Sequence, residues 1–137
     1  MTAEQKNLLL KDLCARLPYG VMCRYQHIQY IENGKIIDIN MFGRVNIDGH
    51  IKDVCDIKPY LFHLSSMTDE QLYEVSQILG KDVAIFTDYL LTIDHRRRTF
   101  SYQELDALFN WFDKNYFDYR GLIPMGLAID ATNLNIY

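Results

Sequence analysis

Three helix-start signals divide the chain and constrain its fold more than any other feature. Each signal is a capping box, in which a hydroxyl residue is followed three positions later by Gln or Glu, so that the two side chains bond backbone N–H groups at the start of a helix. Apolar residues at helical spacing follow each signal. The sequence therefore predicts three helices, at about residues 3–17, 69–79 and 102–116. Their capping pairs are Thr2 with Gln5, Thr68 with Gln71, and Ser101 with Glu104.

The ends and faces of these helices can also be predicted. Pro18 stops the first helix, and Gly80 is well placed to end the second with a left-handed residue. The first helix should pack on a sheet through one leucine-rich face, and its charged residues fall mostly outside that face. The leucines are Leu9, Leu10, Leu13 and Leu17, and the charged residues are Lys6, Asp12 and Arg16.

Residues 20–56, between the first two helices, are rich in β-branched and aromatic types. Asn33-Gly34 and Asp48-Gly49 are two-residue hairpin signals within this block. We expect strands near 20–26, 27–32, 35–41, 43–47 and 50–55. Residues 83–93 contain good strand formers but also fit a short buried helix, and periodicity does not decide between the two.

Length and composition favour one domain. The chain has 137 residues, 49% of them hydrophobic, and no Gly/Ser-rich or Pro-rich tract separates two halves. The prediction is a single α+β domain over residues 1–137, in which an antiparallel β-meander packs against three main helices. No segment approaches the length of a membrane span, so we expect a soluble, cytoplasmic protein that does not bind membranes.

Charge, cysteine and histidine content argue against two kinds of function, nucleic-acid binding through phosphate neutralisation and metal binding. A formal net charge of -4 argues against a domain that binds nucleic acid mainly by neutralising phosphates. The three cysteines, an odd number without close pairs, are expected to be reduced and packed. The histidines are not at the short spacings of zinc sites, so no metal and no cofactor is predicted. The histidines are His27, His50, His63 and His95, and the cysteines are Cys14, Cys23 and Cys55.

Three segments resemble a family of small uncharacterised proteins carried by phages and integrated elements of gut bacteria. The resemblance covers most of the chain, including a helix that contains Trp111 and runs into the last of the segments. The family has no established activity, so the resemblance implies a shared fold and a genomic setting without a mechanism. The segments are Lys58-Pro59-Tyr60-Leu61, Ser65-Ser66-Met67-Thr68 and Phe117-Asp118-Tyr119-Arg120-Gly121-Leu122-Ile123.

The terminal segment after the third helix contains the candidate binding residues Tyr116, Asp118, Tyr119 and Arg120. A fixed carboxylate next to a guanidinium could bind a carboxylate, a phosphate or a peptide end of a partner. The structural interpretation, which we favour, makes Asp118 a capping or Asx-turn residue and Arg120 an ion-pair or aromatic-stacking neighbour.

Catalytic signatures are missing from the chain. Ser65 and Ser66 precede the second helix, but Ser66 and Thr68 are normal residues for a helix entry. No nucleophile elbow or phosphate-binding glycine loop is present. The basic run from His95 to Arg98 could contact phosphates, but a solvated turn is the simpler interpretation. We therefore predict a non-enzymatic protein-binding or adaptor protein of a phage or mobile element, acting on a host or phage protein, without specifying its oligomeric state. The alternative is a small-ligand or nucleotide-binding protein, possibly hydrolytic, in which Arg120 and the basic run hold phosphate.

Overall fold

All three helices begin at their capping boxes. The computed structural model describes residues 1–79, 83–86, 91–93 and 101–137, with the backbone alone at 83–86 and 91–93. The helices are α1 (Ala3–Arg16), α2 (Asp69–Leu79) and α3 (Tyr102–Lys114). At each start, the hydroxyl accepts from the backbone N–H three residues later, and the Gln or Glu side chain accepts from the backbone N–H of the hydroxyl residue. The prediction for Gly80 falls outside the described residues.

The strands form one large sheet and one small ladder. In chain order they are β1 (Met22–His27), β2 (Tyr30–Ile39), β3 (Arg44–Ile47), β4 (His50–Asp53), β5 (Ile57–Leu61), β6 (Val83–Phe86), β7 (Leu91–Ile93) and β8 (Ile129–Asp130). The large sheet has the order β4-β3-β2-β1-β5-β8, and only the β5–β8 pair is parallel. β6 and β7 form a separate antiparallel pair, so both described parts of 83–93 are strands. The α+β class and the antiparallel meander are thus confirmed.

One predicted hairpin is confirmed and the other is wrong. Asp48 and Gly49 connect β3 to β4 with φ of 49° and 97°, the left-handed values that a type I′ turn requires. Asn33-Gly34 is not a turn, because β2 runs straight through it and the β1–β2 hairpin closes at Ile28-Gln29. Gly34 has a packing role instead, since a Cβ there would lie 2.5 Å from Cγ2 of Ile47.

The large sheet curls so that β4, at one of its edges, approaches β1. The rings of His27 on β1 and His50 on β4 have centroids 4.3 Å apart, although β2 and β3 separate these strands in the sheet order. In a flat sheet, strands three places apart would be separated by roughly 14 Å. A short 3-10 helix at Val54–Asp56 then takes the chain from β4 to β5 on the far side of β1. The result is a nearly closed barrel with an inner face.

The described residues form two hydrophobic cores. Leu9 and Leu13 of α1 enter the first, inside the curled sheet, beside residues such as Tyr25 and Ile36. The second lies between α2 and α3 and is formed by Leu64, Val75, Leu79, Leu108, Phe112 and Phe117. Full burial of Asp12 and Arg16 is unexpected for an amphipathic helix, and it brings α1 against the end of α3.

The chain after α3 returns to the sheet through backbone hydrogen bonds. The N–H of Phe62 donates to the carbonyl of Tyr116, and the N–H of Asp118 donates to the carbonyl of Phe62, both at 2.8 Å. Further along, the N–H of Ala131 donates to the carbonyl of Leu61 at 2.7 Å. The candidate residues 116–120 therefore begin where the two cores meet. Among the described residues, no helix has the length and apolarity needed to cross a membrane.

Candidate functional site

Tyr116 is fixed in place by its backbone and by its side chain. Its φ is 63°, a left-handed value that reverses the chain just after α3. Its hydroxyl donates to the carbonyl of Tyr19 at 2.6 Å, and its ring stacks on Tyr137 with centroids 3.7 Å apart. Burial raises the pKa of the Tyr116 hydroxyl. Tyr116 thus connects three distant parts of the chain.

Asp118 is a fully buried turn residue. Its carboxylate accepts from the backbone N–H of Leu122 at 2.9 Å and from that of Ile123 at 2.8 Å. Burial raises the pKa of this carboxyl above its ordinary value, although the two N–H groups oppose that change. The side chain therefore closes the turn that carries the chain from α3 towards β8.

Arg120 faces inward, towards α1. Its Nη1 donates to Oδ1 of Asp12 at 2.7 Å and lies 3.7 Å from Oδ1 of Asp113. The guanidinium also lies over the ring of Tyr119, 4.4 Å from its centroid. Only 15% of the Arg120 side chain is exposed. It is an ion-pair and stacking residue, but its carboxylate partners come from α1 and α3, and neither is Asp118.

Tyr119 completes this arrangement. Its hydroxyl donates to Oδ1 of Asp113 at 3.0 Å, and its ring stacks on Phe109 and Phe112. Burial raises the pKa of the Tyr119 hydroxyl, while the nearby Arg120 charge acts in the opposite direction. Tyr119 therefore stays a neutral donor under ordinary conditions.

Arg16, which was not among the candidate residues, is the centre of the network. It forms a bidentate pair with Asp12, at 2.8 Å from Nε and 2.9 Å from Nη2. Its other donors reach the carbonyl of Phe112, in the last turn of α3, at 3.3 Å and the carbonyl of Phe117, just after α3, at 2.7 Å. Each carbonyl also accepts a backbone N–H, from Phe117 and from Tyr119 respectively. Burial acts to lower the Arg16 pKa, but the Asp12 and Asp113 charges more than compensate, and the net pKa is raised.

The charged groups of this network satisfy one another. Two guanidinium groups, from Arg16 and Arg120, meet two carboxylates, from Asp12 and Asp113. Burial raises the pKa of Asp113, and Arg16, the Tyr119 hydroxyl and Arg120 oppose that change. An added anion would compete with Asp12, which already bonds Arg16 through two of its donors and Arg120 through Nη1. The arrangement thus fits a structural connection between α1, α3 and the terminal segment, and a binding role for residues 116–120 stays a prediction.

Contacts among the remaining candidates in the described residues are pairwise, such as the one between the rings of His27 and His50. His63 approaches Asp130 at 3.4 Å, and Ser66 donates to the carbonyl of His63. Within the described ranges, no group of three His, Cys, Asp or Glu side chains could hold a metal ion. The basic run from His95 to Arg98 falls outside those ranges.

The cysteines correct one expectation. Cys23 is buried, but Cys14 and Cys55 are exposed, so the prediction that the thiols are packed holds for Cys23 alone. Burial, with a smaller contribution from Asp48, raises the Cys23 pKa to about 12. Cys23 is therefore an inert core residue, which is the usual state of a buried thiol.

A hydrogen-bonded turn with two exposed apolar side chains joins β2 to β3, and sequence reasoning did not select it. Met41 is 90% exposed and Phe42 is 76% exposed. The side-chain oxygen of Asn40 accepts from the N–H groups of Phe42 at 2.9 Å and Arg44 at 3.0 Å, and the N–H of Gly43 donates to the carbonyl of Asn40. The detectable signal was a Met-Phe pair at a turn, where Asn, Asp, Gly or Pro is usual.

Comparison of the chain with protein-family models, curated proteins and solved structures finds no match. The basis for a functional assignment is therefore the geometry of the described residues. Two features of that geometry differ in kind. In the network around Arg16, the charged groups pair with one another. Met41 and Phe42 instead present apolar side chains to solvent from a hydrogen-bonded turn.

Proposed function

We propose that the protein is a non-enzymatic binding or adaptor protein that docks onto another protein through Met41 and Phe42. The observation that carries this proposal is the combination of near-complete exposure of both side chains with a hydrogen-bonded turn that holds them. Aromatic residues and Met are enriched at the cores of protein interfaces. A turn fixed before binding also loses little conformational entropy on association.

The surroundings of the turn support the same function. Gly43 has φ of 75° and lies against α1, since a Cβ there would be 3.5 Å from Cε of Lys6 and 3.6 Å from Cδ1 of Leu10. The N–H of Val54 also donates to the carbonyl of Gly43 at 3.0 Å. The turn therefore packs against α1 and is hydrogen-bonded to the chain at Val54, and these contacts support the segment that carries the two apolar side chains.

The resemblance to proteins of phages and integrated elements favours a host or phage protein in the cytoplasm as the partner. The alternative, a nucleotide-binding or hydrolytic protein, has less support. It requires Arg120 to hold phosphate, and Nη1 of Arg120 already bonds Asp12.

Site-specific cross-linking from position 42 tests the docking proposal. A photoreactive phenylalanine analogue at position 42 should cross-link one defined protein in host or phage-infected lysate. The Met41→Ser/Phe42→Ser variant should lose capture of that protein while keeping its melting temperature. Tyr30→Ser is the matched control, because Tyr30 is an exposed aromatic at the opposite end of β2, and it should retain capture.

Two results would overturn the docking proposal. One is capture that persists in the double serine variant. The other is equal loss of capture in Tyr30→Ser, which would mean that any exposed apolar group on this protein acts in the same way. Asn40→Ala keeps both apolar side chains but removes the acceptor that orders the turn, and it should weaken capture without abolishing it.

A further inference from the structure

A groove opens where the barrel fails to close. The β1–β5 ladder ends at the pair Tyr25 and Ile57, because the chain before Ile57 is the 3-10 helix Val54–Asp56. β1 continues past that point through Gln26 and His27 without a partner from β5. Two cavities of about 210 and 360 Å³ lie here, and Gln26 and Asp56 line both. Because they share these two residues, the cavities adjoin each other beside the end of β1, and together they form the groove.

Backbone polar groups of β1 face this groove. A two-residue hairpin makes the flanking residues, His27 and Tyr30, a hydrogen-bonded pair, and such pairs then alternate along the ladder. The N–H of Ile36 donates to the carbonyl of Val21, which lies six residues before His27. Because six is an even number, Val21 belongs to the same alternating set as His27, as the pattern requires. The N–H and C=O of Gln26 therefore point away from β2, into the groove, where an extended chain could pair with them.

The side chains of the groove carry a local excess of positive charge in an acidic protein. Three cations and one carboxylate line it, whereas the whole chain has a formal charge of -4. The cations are also spread along its length, because Lys52 lines one cavity, while Arg24 and Lys58 line the other. The carboxylate is Asp56, which lines both.

Each cavity also has one exposed isoleucine, Ile28 in the larger and Ile31 in the smaller. Cations and apolar groups thus repeat along the groove. A phosphate seated in one cavity would not be lined by the cations of the other. An extended chain whose acidic and apolar side chains alternate would match the whole length.

We infer that this groove binds an acidic, extended segment of a partner protein, which pairs with the backbone of Gln26 and places carboxylates against Arg24, Lys52 and Lys58. The site is separate from the turn at Met41 and Phe42, which follows the opposite end of β2. It therefore goes beyond the proposed function and does not depend on it.

Binding of a defined peptide tests the inference. The probe is a fluorescein-labelled peptide of about ten residues in which Val and Glu alternate, and fluorescence anisotropy measures its affinity. The Arg24→Glu/Lys58→Glu variant should bind it at least about tenfold more weakly than the unaltered protein, and added salt should weaken binding by the unaltered protein. Lys11→Glu is the matched control, because Lys11 is an exposed residue of α1, and it should bind within about twofold of the unaltered protein.

Backbone amide NMR shows whether each variant is folded and where the probe lies. The amide of Gln26 should shift on titration with the Val-Glu peptide, and a Val-Lys peptide of equal length should leave it unchanged. The inference is overturned by an absence of saturable binding at millimolar peptide, by equal binding of the Val-Lys peptide, or by displacement of the peptide with equimolar inorganic phosphate. The Met41→Ser/Phe42→Ser variant should bind the peptide normally, so failure of the docking proposal and failure of this inference give different results.

Discussion

Nη1 of Arg120 donates to Oδ1 of Asp12 at 2.7 Å and so joins two residues 108 positions apart in the chain. Arg16 holds the same carboxylate from the other side. Two guanidinium groups thus converge on one buried carboxylate, and they bring α1, the end of α3 and the terminal segment together. Substitutions in this network should therefore change stability, whereas substitutions of Met41 and Phe42 should change partner binding.

Arg120→Ala should destabilise the protein without abolishing its folding. We expect a loss of about 1–2 kcal/mol in the free energy of unfolding, because Asp12 keeps its bidentate pair with Arg16. Urea unfolding, followed by the fluorescence of Trp111, measures the change. Folded Arg120→Ala protein should still capture a partner through Met41 and Phe42. Loss of capture at unchanged stability would instead support a binding role for Arg120.

Arg16→Met should cost more than Arg120→Ala. It leaves Asp12 with one cation instead of two and removes the donors to the carbonyls of Phe112 and Phe117. Removing one member of a buried pair typically costs about 3–5 kcal/mol. Lys11→Met, an exposed change on the same helix, should stay within about 0.5 kcal/mol. An Arg16→Met variant that loses less than Arg120→Ala would show that Arg16 is not the centre of the network.

Asp118→Ala should open the turn after α3. It removes the acceptor for two backbone N–H groups, one of them on the fully buried Leu122, and we expect a loss of about 2–4 kcal/mol. Asp118→Asn keeps one acceptor oxygen and should lose less. If both variants unfold at the urea concentration of the unaltered protein, the turn does not depend on this side chain.

The charge of Asp118 adds a pH dependence to the same comparison. Burial raises its pKa in the folded state, so folded protein holds this proton more tightly than unfolded protein does. The stability contributed by this group should be complete below the ordinary carboxyl pKa of 3.8 and fall as pH rises through the folded value. Asp118→Asn removes that part of the pH dependence, and urea titrations across this range measure it.

Features set by neighbouring residues could be predicted from the sequence, and features set by distant contacts could not. A capping box depends on residues three apart, and the turn at Asp48-Gly49 depends on two adjacent residues, so both are visible locally. Gly34 has the same local signal as Gly49, but its reason is the approach of Ile47 from another strand.

The candidate site shows the same limit. The terminal segment stood out because it combines aromatic, charged and glycine residues. Arg120 does form ion pairs and an aromatic stack, but its partners are Asp12, Asp113 and Tyr119 instead of the neighbouring Asp118. Its partner Asp12 lies 108 residues away, and the acceptor Phe117 lies 101 residues from Arg16. The Met-Phe pair at a turn was visible locally, but the exposure of Met41 and Phe42 depends on how β2 and β3 meet.

Gly34→Ala tests the packing role of this glycine. The added Cβ would meet Cγ2 of Ile47 at 2.5 Å and Cε1 of Tyr25 at 3.1 Å, so the barrel interior must shift. Overpacking of this kind costs about 1–3 kcal/mol, measured as a lower melting temperature and a lower urea midpoint. Ile51→Ala, on the exposed face of β4, should lose less than about 1 kcal/mol. A neutral Gly34→Ala would mean that the core tolerates a methyl group at this position.

Cys23 should be protected from alkylation for as long as the protein is folded. Its thiol is buried, and its pKa of about 12 leaves roughly one part in ten thousand as the reactive thiolate at pH 8. Iodoacetamide should therefore modify the exposed Cys14 and Cys55 in native protein, and all three cysteines in urea, as measured by mass spectrometry. A Cys14→Ser/Cys55→Ser variant isolates the remaining thiol, whose slow labelling should track opening of the core between the sheet and α1. Labelling of that variant at the rate of an unfolded thiol would contradict the burial of Cys23 and the packing of α1 over it.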